Sequence, residues 1–86
     1  MEGIRLETST HEVDGIKVLD VAGEIDVYTA PKFKEAVNQI INEGQKDLVV
    51  NMEQVTYMDS SGFGTLLSAT KRLRPEGGTV NLVACN

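Results

Sequence analysis

The sequence predicts an α/β domain, a mixed β-sheet with helices packed on it. Three observations predict this. Early segments alternate apolar and polar residues, the period of a half-buried strand. Two later segments repeat apolar residues at helical spacing. Strands and helices then alternate, and strand–helix–strand units with right-handed crossovers make part of the sheet parallel.

The elements follow in order. Ile4-Arg5-Leu6-Glu7-Thr8 reads as a first strand. Asp14-Gly15 is a strong turn signal, and residues 16–21 read as its antiparallel partner. The connection is expected to be a longer loop that takes in Ser9 to Glu12, with His11 a solvated loop residue. Gly23-Glu24-Ile25-Asp26 closes the strand region. Thr29 suits an N-cap, and Pro31 falls in a first turn, where its missing N–H costs nothing. Phe33, Ala36, Val37, Ile40 and Ile41 form one apolar helical stripe, and Gly44 ends it. Residues 48–52 are apolar and β-branched, as in a central strand buried on both faces. Val55-Thr56-Tyr57-Met58 runs on to a sharp turn, and Asp59-Ser60-Ser61-Gly62 opens a second helix. Its expected stripe is Phe63, Leu66, Leu67, Thr70 and Leu73, stopped by Pro75 and Gly77-Gly78. Residues 79–84 form a last strand.

Composition narrows the function. A chain of 86 residues is a single domain, here 1–86, with a thin core and little room for a deep substrate cavity. A net charge of −5 opposes nucleic acid and anionic membranes as partners. Lys71, Arg72 and Arg74 sit at a predicted helix end, where cations complement the dipole. The single cysteine, Cys85, excludes an intramolecular disulfide and suits a reducing cytoplasm. His11 and Cys85 are too few for a His/Cys zinc site, and no metal or other cofactor is expected. No apolar run approaches the ~20 residues of a membrane span. Glu2 and the lack of an apolar run at the start argue against a signal peptide.

The chemistry concentrates in Tyr57-Met58-Asp59-Ser60-Ser61-Gly62-Phe63-Gly64. Three polar residues stand between a strand and a helix, at the carboxyl edge of the sheet, where α/β folds collect function. A helix N-terminus offers free N–H groups and a positive dipole end, so it tolerates an added phosphate. The same residues also suit plain helix capping, with Gly62 and Gly64 allowing tight packing. Both readings hold together, because one residue can cap while its neighbour accepts phosphate.

This stretch resembles the D-S-[SA]-G block of the anti-sigma factor antagonists, which share the STAS-type fold. Gly23-Glu24-Ile25-Asp26 and Leu48-Val49-Val50-Asn51-Met52 resemble two further family segments, and the similarity runs over essentially the whole chain. The resemblance implies that Ser60 is phosphorylated by a partner that is both an anti-sigma factor and a small GHKL-type serine kinase. The unphosphorylated form would bind this partner and release sigma factor. The phosphorylated form would let go, and a serine phosphatase would reset it. Glu24, Asp26, Asp59, Ser61 and Gly62 would lie on the partner-binding face, with Asp59 chiefly a cap and Ser61 ranked below Ser60. An alternative is a STAS scaffold module in a stress-signalling or transport complex.

An enzyme is not expected. Adjacent Asp59 and Ser60 cannot serve as orienter and nucleophile across His11, and no G-x-S-x-G elbow or G-x-x-x-x-G-K-[ST] loop is present. The resembling family continues through further C-terminal elements, so this chain is expected to be C-terminally incomplete. An exposed sheet edge at residues 79–85 would then be covered by a partner, a dimer or a strand swap.

Overall fold

The computed structural model describes residues 5–83. The ends of the first and last predicted strands, Ile4 and Ala84, and the lone Cys85 lie outside them. The chain forms β1 (Leu6–Val13), β2 (Ile16–Ile25), α1 (Ala30–Asn42), β3 (Asp47–Met58), α2 (Ser60–Leu73) and β4 (Thr79–Val83), with a 3-10 turn over Arg74–Glu76. The sheet order is β1-β2-β3-β4. β1 and β2 are antiparallel, whereas β2–β3 and β3–β4 are parallel. This is the predicted mixed α/β sheet.

The hairpin corrects one expectation. Residues 9–12 are strand, not loop. Asp14 and Gly15 take positive φ of 52° and 82°, so a two-residue turn suffices and Val13 pairs directly with Ile16. Such turns match the twist of the flanking strands. The extra strand residues are polar and exposed, so they carry no apolar alternation to announce them. His11 therefore sits in β1, with Nδ1 2.5 Å from Asp20 Oδ2.

One core fills one side of the sheet. Leu19, Val21, Ile25, Leu48, Val50 and Met52 point toward Phe33, Val37 and Ile40 of α1 and Leu66, Ala69 and Leu73 of α2. In β3 only alternate residues are buried, while Val49 and Asn51 are half-exposed. The expected double-sided burial of this strand is thus wrong, because both helices cover the same face. Arg72 clamps them together, donating to Asn38 Oδ1 at 2.8 Å and Asn42 Oδ1 at 2.9 Å.

The second helix keeps Leu66 and Leu73 of its expected stripe on the core but turns Phe63 and Leu67 outward. Gly62, Thr65, Leu66, Ala69 and Leu73 face the core, while Phe63 and Leu67 are 59% and 60% exposed. Small residues share the inner face with Leu66 and Leu73 because α2 lies close to the sheet at Gly62. A Cβ at Gly62 would stand 2.5 Å from Met58 Cγ and 2.8 Å from Ile25 Cγ2. The buried Thr65 hydroxyl donates to the Ser61 carbonyl at 3.2 Å, so its polarity is satisfied.

Phe33 is fully buried at the centre of this core. Phe33→Ala is expected to destabilise the chain by about 3–5 kcal/mol, read as a lowered urea midpoint.

Candidate functional site

The carboxyl ends of β2 and β3 lie side by side, with Glu24 paired to Tyr57 and Ile25 to Met58. The chain leaving each strand enters a helix, so both junctions meet at one end of the sheet. The Asp59 N–H donates to the Ile25 carbonyl at 3.0 Å, tying the second junction to the first.

Asp59 is the N-cap of α2. Its backbone is extended, with φ −102° and ψ −168°, and its carboxylate Oδ1 accepts from the Ser61 N–H at 2.8 Å. Ser60 is the first helical residue and is exposed. None of the side-chain hydrogen bonds among the described residues uses its hydroxyl. The oxygen therefore stands at the positive end of a 14-residue helix, open to another molecule. Ser61 is half-buried, and Gly62 is buried beneath Ser60 against the sheet.

The first junction is held by charge. Thr29 occupies the N-cap position of α1 but does not cap it. Its hydroxyl instead accepts from the Asp26 N–H at 2.9 Å and donates to the Glu24 carbonyl at 2.8 Å. The Asp26 carboxylate accepts from the N–H groups of Tyr28 and Thr29 at 2.9 and 3.0 Å. Arg5 reaches both carboxylates, pairing with Asp26 and lying 3.2 Å from Glu24. The Glu24 N–H also donates to the Arg5 carbonyl at 2.7 Å. Gly23 allows this approach, because it has φ of +112° and any Cβ would run into that carbonyl.

Desolvation raises the Asp26 pKa, but the Thr29 and Tyr28 N–H groups and Arg5 outweigh it and hold the carboxyl below its ordinary value. The same ion pairs raise the Arg5 pKa further.

The structure thus brings Glu24, Asp26, Asp59, Ser60, Ser61 and Gly62 to one end of the sheet. It also divides them. Asp26, Asp59 and Gly62 are engaged in building the junctions, while Ser60 and Glu24 face solvent. Around them lie exposed apolar side chains, two of which, Phe63 and Leu67, belong by hydropathy to the expected core stripe. Phe63 and Leu67 extend along α2, Val27 and Tyr28 project from the first junction, and Tyr57 is the penultimate residue of β3. The signal that could have found them is the small-residue series Gly62, Thr65, Ala69, which competes with Phe63 and Leu67 for the inner face.

His11 takes no part. It pairs with Val18, and the seven residues from there to Ile25 span about 23 Å of strand. Among the described residues no cluster of three or more metal-ligating side chains occurs. No helix there is long and apolar enough to cross a membrane.

A family model described as the STAS domain matches residues 7–86. A Staphylococcus aureus protein named anti-sigma-B factor antagonist is 39% identical over 70 residues, which is 81% of this chain. The chain spans 63% of that relative's length. A solved anti-sigma factor antagonist from Mycobacterium paratuberculosis superposes with a TM-score of 0.81 at 29% identity, over 90% of this chain and 67% of that one. The unphosphorylated form of SpoIIAA superposes with a TM-score of 0.73 at 24% identity, over 88% and 71%. Its phosphorylated form, a Bacillus structure, gives 0.69 at 24%, over 86% and 68%.

Two outcomes test the site's construction. Asp59→Ala is expected to lose about 0.5–2 kcal/mol of stability, with Asp59→Asn retaining most of it. A carboxylate held below its ordinary 3.8 stabilises the fold while ionised. The Asp26 contribution is therefore complete above that value and disappears as pH falls through the lower folded value. Asp26→Asn is expected to remove this acid-dependent component from urea unfolding measured between neutral and acid pH. An unchanged acid limb would contradict the network.

Proposed function

The chain belongs to the STAS domain family, and from that premise we propose that it is an anti-sigma factor antagonist switched by phosphorylation of Ser60. The observation that carries the reading is the exposed Ser60 hydroxyl at the first position of α2, without a hydrogen bond among the described residues. The names of the Staphylococcus aureus and Mycobacterium paratuberculosis proteins support it. The two solved forms of SpoIIAA also support it, since one fold there carries both states.

In this reading the unmodified chain binds an anti-sigma factor that is also a GHKL-type serine kinase, and sigma factor is released. The partner brings nucleotide, magnesium and base, while this chain supplies the hydroxyl that attacks the γ-phosphorus of ATP. The hydroxyl proton passes to the partner's base, the phosphoryl group to Ser60 Oγ, and ADP leaves. The product carries about −1.5 to −2 added charge beside Asp59 and Glu24. The helix N-terminus accommodates that charge in the free chain. A partner surface packed on the hydroxyl does not. Losing a buried polar contact there costs about 2–5 kcal/mol, roughly 30- to 3,000-fold in affinity. A serine phosphatase restores the starting state, and the cytoplasm is where such partners meet.

Glu24 belongs to the contact face, with Ser61 secondary. Asp26, Asp59 and Gly62 contribute by shaping it. The outer edge of β4 is uncharged and bears half-exposed Leu82. It supports strand pairing with a second copy.

Intact-mass spectrometry after incubation with ATP and purified Staphylococcus aureus anti-sigma-B factor tests the switch. One phosphate is expected on the parent chain and none on Ser60→Ala, while Ser60→Asp binds at least 30-fold more weakly. Full phosphorylation of Ser60→Ala would overturn the assignment. Tight binding without phosphorylation would favour a scaffold module in a signalling complex.

A further inference from the structure

Gly64 poses a problem that the fold does not answer. It is the fifth residue of α2, exposed, and its φ is not positive. A Cβ there would meet nothing within 4 Å. Glycine in a helix interior is destabilising relative to alanine, so an alanine would suit this chain better. Gly62, two residues earlier, has its reason in Met58 and Ile25. Gly64 has none among the described residues, and the remaining physical use of a bare backbone is close approach by another surface.

The surroundings fit such an approach. Gly64 lies in a groove of about 550 Å³ between the helices, lined also by Val27, Pro31, Lys34, Ser61 and Ser68. Ser61 carries the groove up to the Ser60 position. Val27, Phe63 and Leu67 stand exposed around this end of the molecule. Charge favours one kind of visitor. Helices α1 and α2 carry Lys32, Lys34, Lys71 and Arg72 against Glu35, with Glu43 and Asp59 as flanking acidic caps, and Lys32 and Arg72 are already hydrogen-bonded. The strands carry Glu7, Glu12, Asp20, Glu24, Asp47 and Glu53 against Lys17 alone. In a chain of net charge −5 the helix layer is thus the least acidic part, and Lys34 is the charged residue that lines the groove. Lys34 makes no hydrogen bond or ion pair among the described residues, whereas Lys17 and Arg72 do.

We propose that this groove seats the protein that acts on Ser60, with an apolar side chain of that partner resting on Gly64 and an acidic group beside it meeting Lys34. The proposal rests on the reading of Ser60 as the modified residue. It adds a second contact, on the helix face and away from the acidic Glu24 side. It also gives the phosphate a further effect, because a charge at Ser60 would stand against an acidic partner surface.

The test uses the whole chain, its Gly64→Ala and Lys34→Glu variants, and purified Staphylococcus aureus anti-sigma-B factor with ATP. Gly64→Ala is expected to melt at or above the parent temperature yet bind at least tenfold more weakly. Lys34→Glu is expected to weaken binding, with the loss shrinking as salt rises. A lower melting temperature for Gly64→Ala would mean that the glycine serves the fold, and would overturn the proposal. Parent-like binding of Gly64→Ala with Ser60 still phosphorylated would overturn it and leave the Ser60 reading standing. Weakened binding of both variants, without phosphorylation of the parent chain, would support the groove and overturn the Ser60 reading. No binding of the parent chain would overturn both.

Discussion

The close seat of α2 on the sheet governs much of the rest. Gly62 lets the helix backbone approach Met58 and Ile25, and the Asp59 N–H then reaches the Ile25 carbonyl. With that distance set, the inner face of α2 takes Gly62, Thr65 and Ala69 beside Leu66 and Leu73, and position 63 lies off it. Phe63 and Leu67 are turned outward as a result. The same rotation leaves Ser60 at the rim, where its hydroxyl has no internal duty. A constraint in the core thereby determines what the surface offers.

The two junctions at this end of the sheet divide the chemical labour. Arg5, Asp26 and Thr29 spend their polar groups on one another and on backbone amides. That makes the first junction a fixed wall with Glu24 on its outside. The second junction spends one carboxylate, Asp59, on capping and keeps the adjacent hydroxyl uncommitted.

Much of this was legible in the sequence, and the failures have physical causes. The Asp59-Ser60-Ser61-Gly62 turn was readable because capping chemistry is local and residue-specific. The α1 stripe was readable because Phe33, Val37 and Ile40 have no competitor for the buried side. In α2 the stripe gives Leu66 and Leu73 correctly, but hydrophobicity alone ranks Phe63 and Leu67 above Gly62 and Ala69. Only the helix-to-sheet distance reverses that order. The strand over residues 9–12 was missed because polar residues on an exposed edge strand carry no period. Thr29 was given a cap because its type and place fit, yet its hydroxyl has better partners in Asp26 and Glu24. Arg5 was passed over because its partners lie about twenty positions away.

The two-residue turn at Asp14-Gly15 bears on how the chain finds its fold. It joins β1 and β2 through neighbours in sequence, so that ladder closes as a short hairpin, a microsecond event in small peptides. The β2–β3 pairing joins Val18 to Val49, with α1 between them. Closing that span loses more chain entropy before any contact repays it. The helix shortens the span while the hairpin holds one side of it ready. The parallel pairing is therefore the costlier closure, and the junction that carries Ser60 is completed only with it.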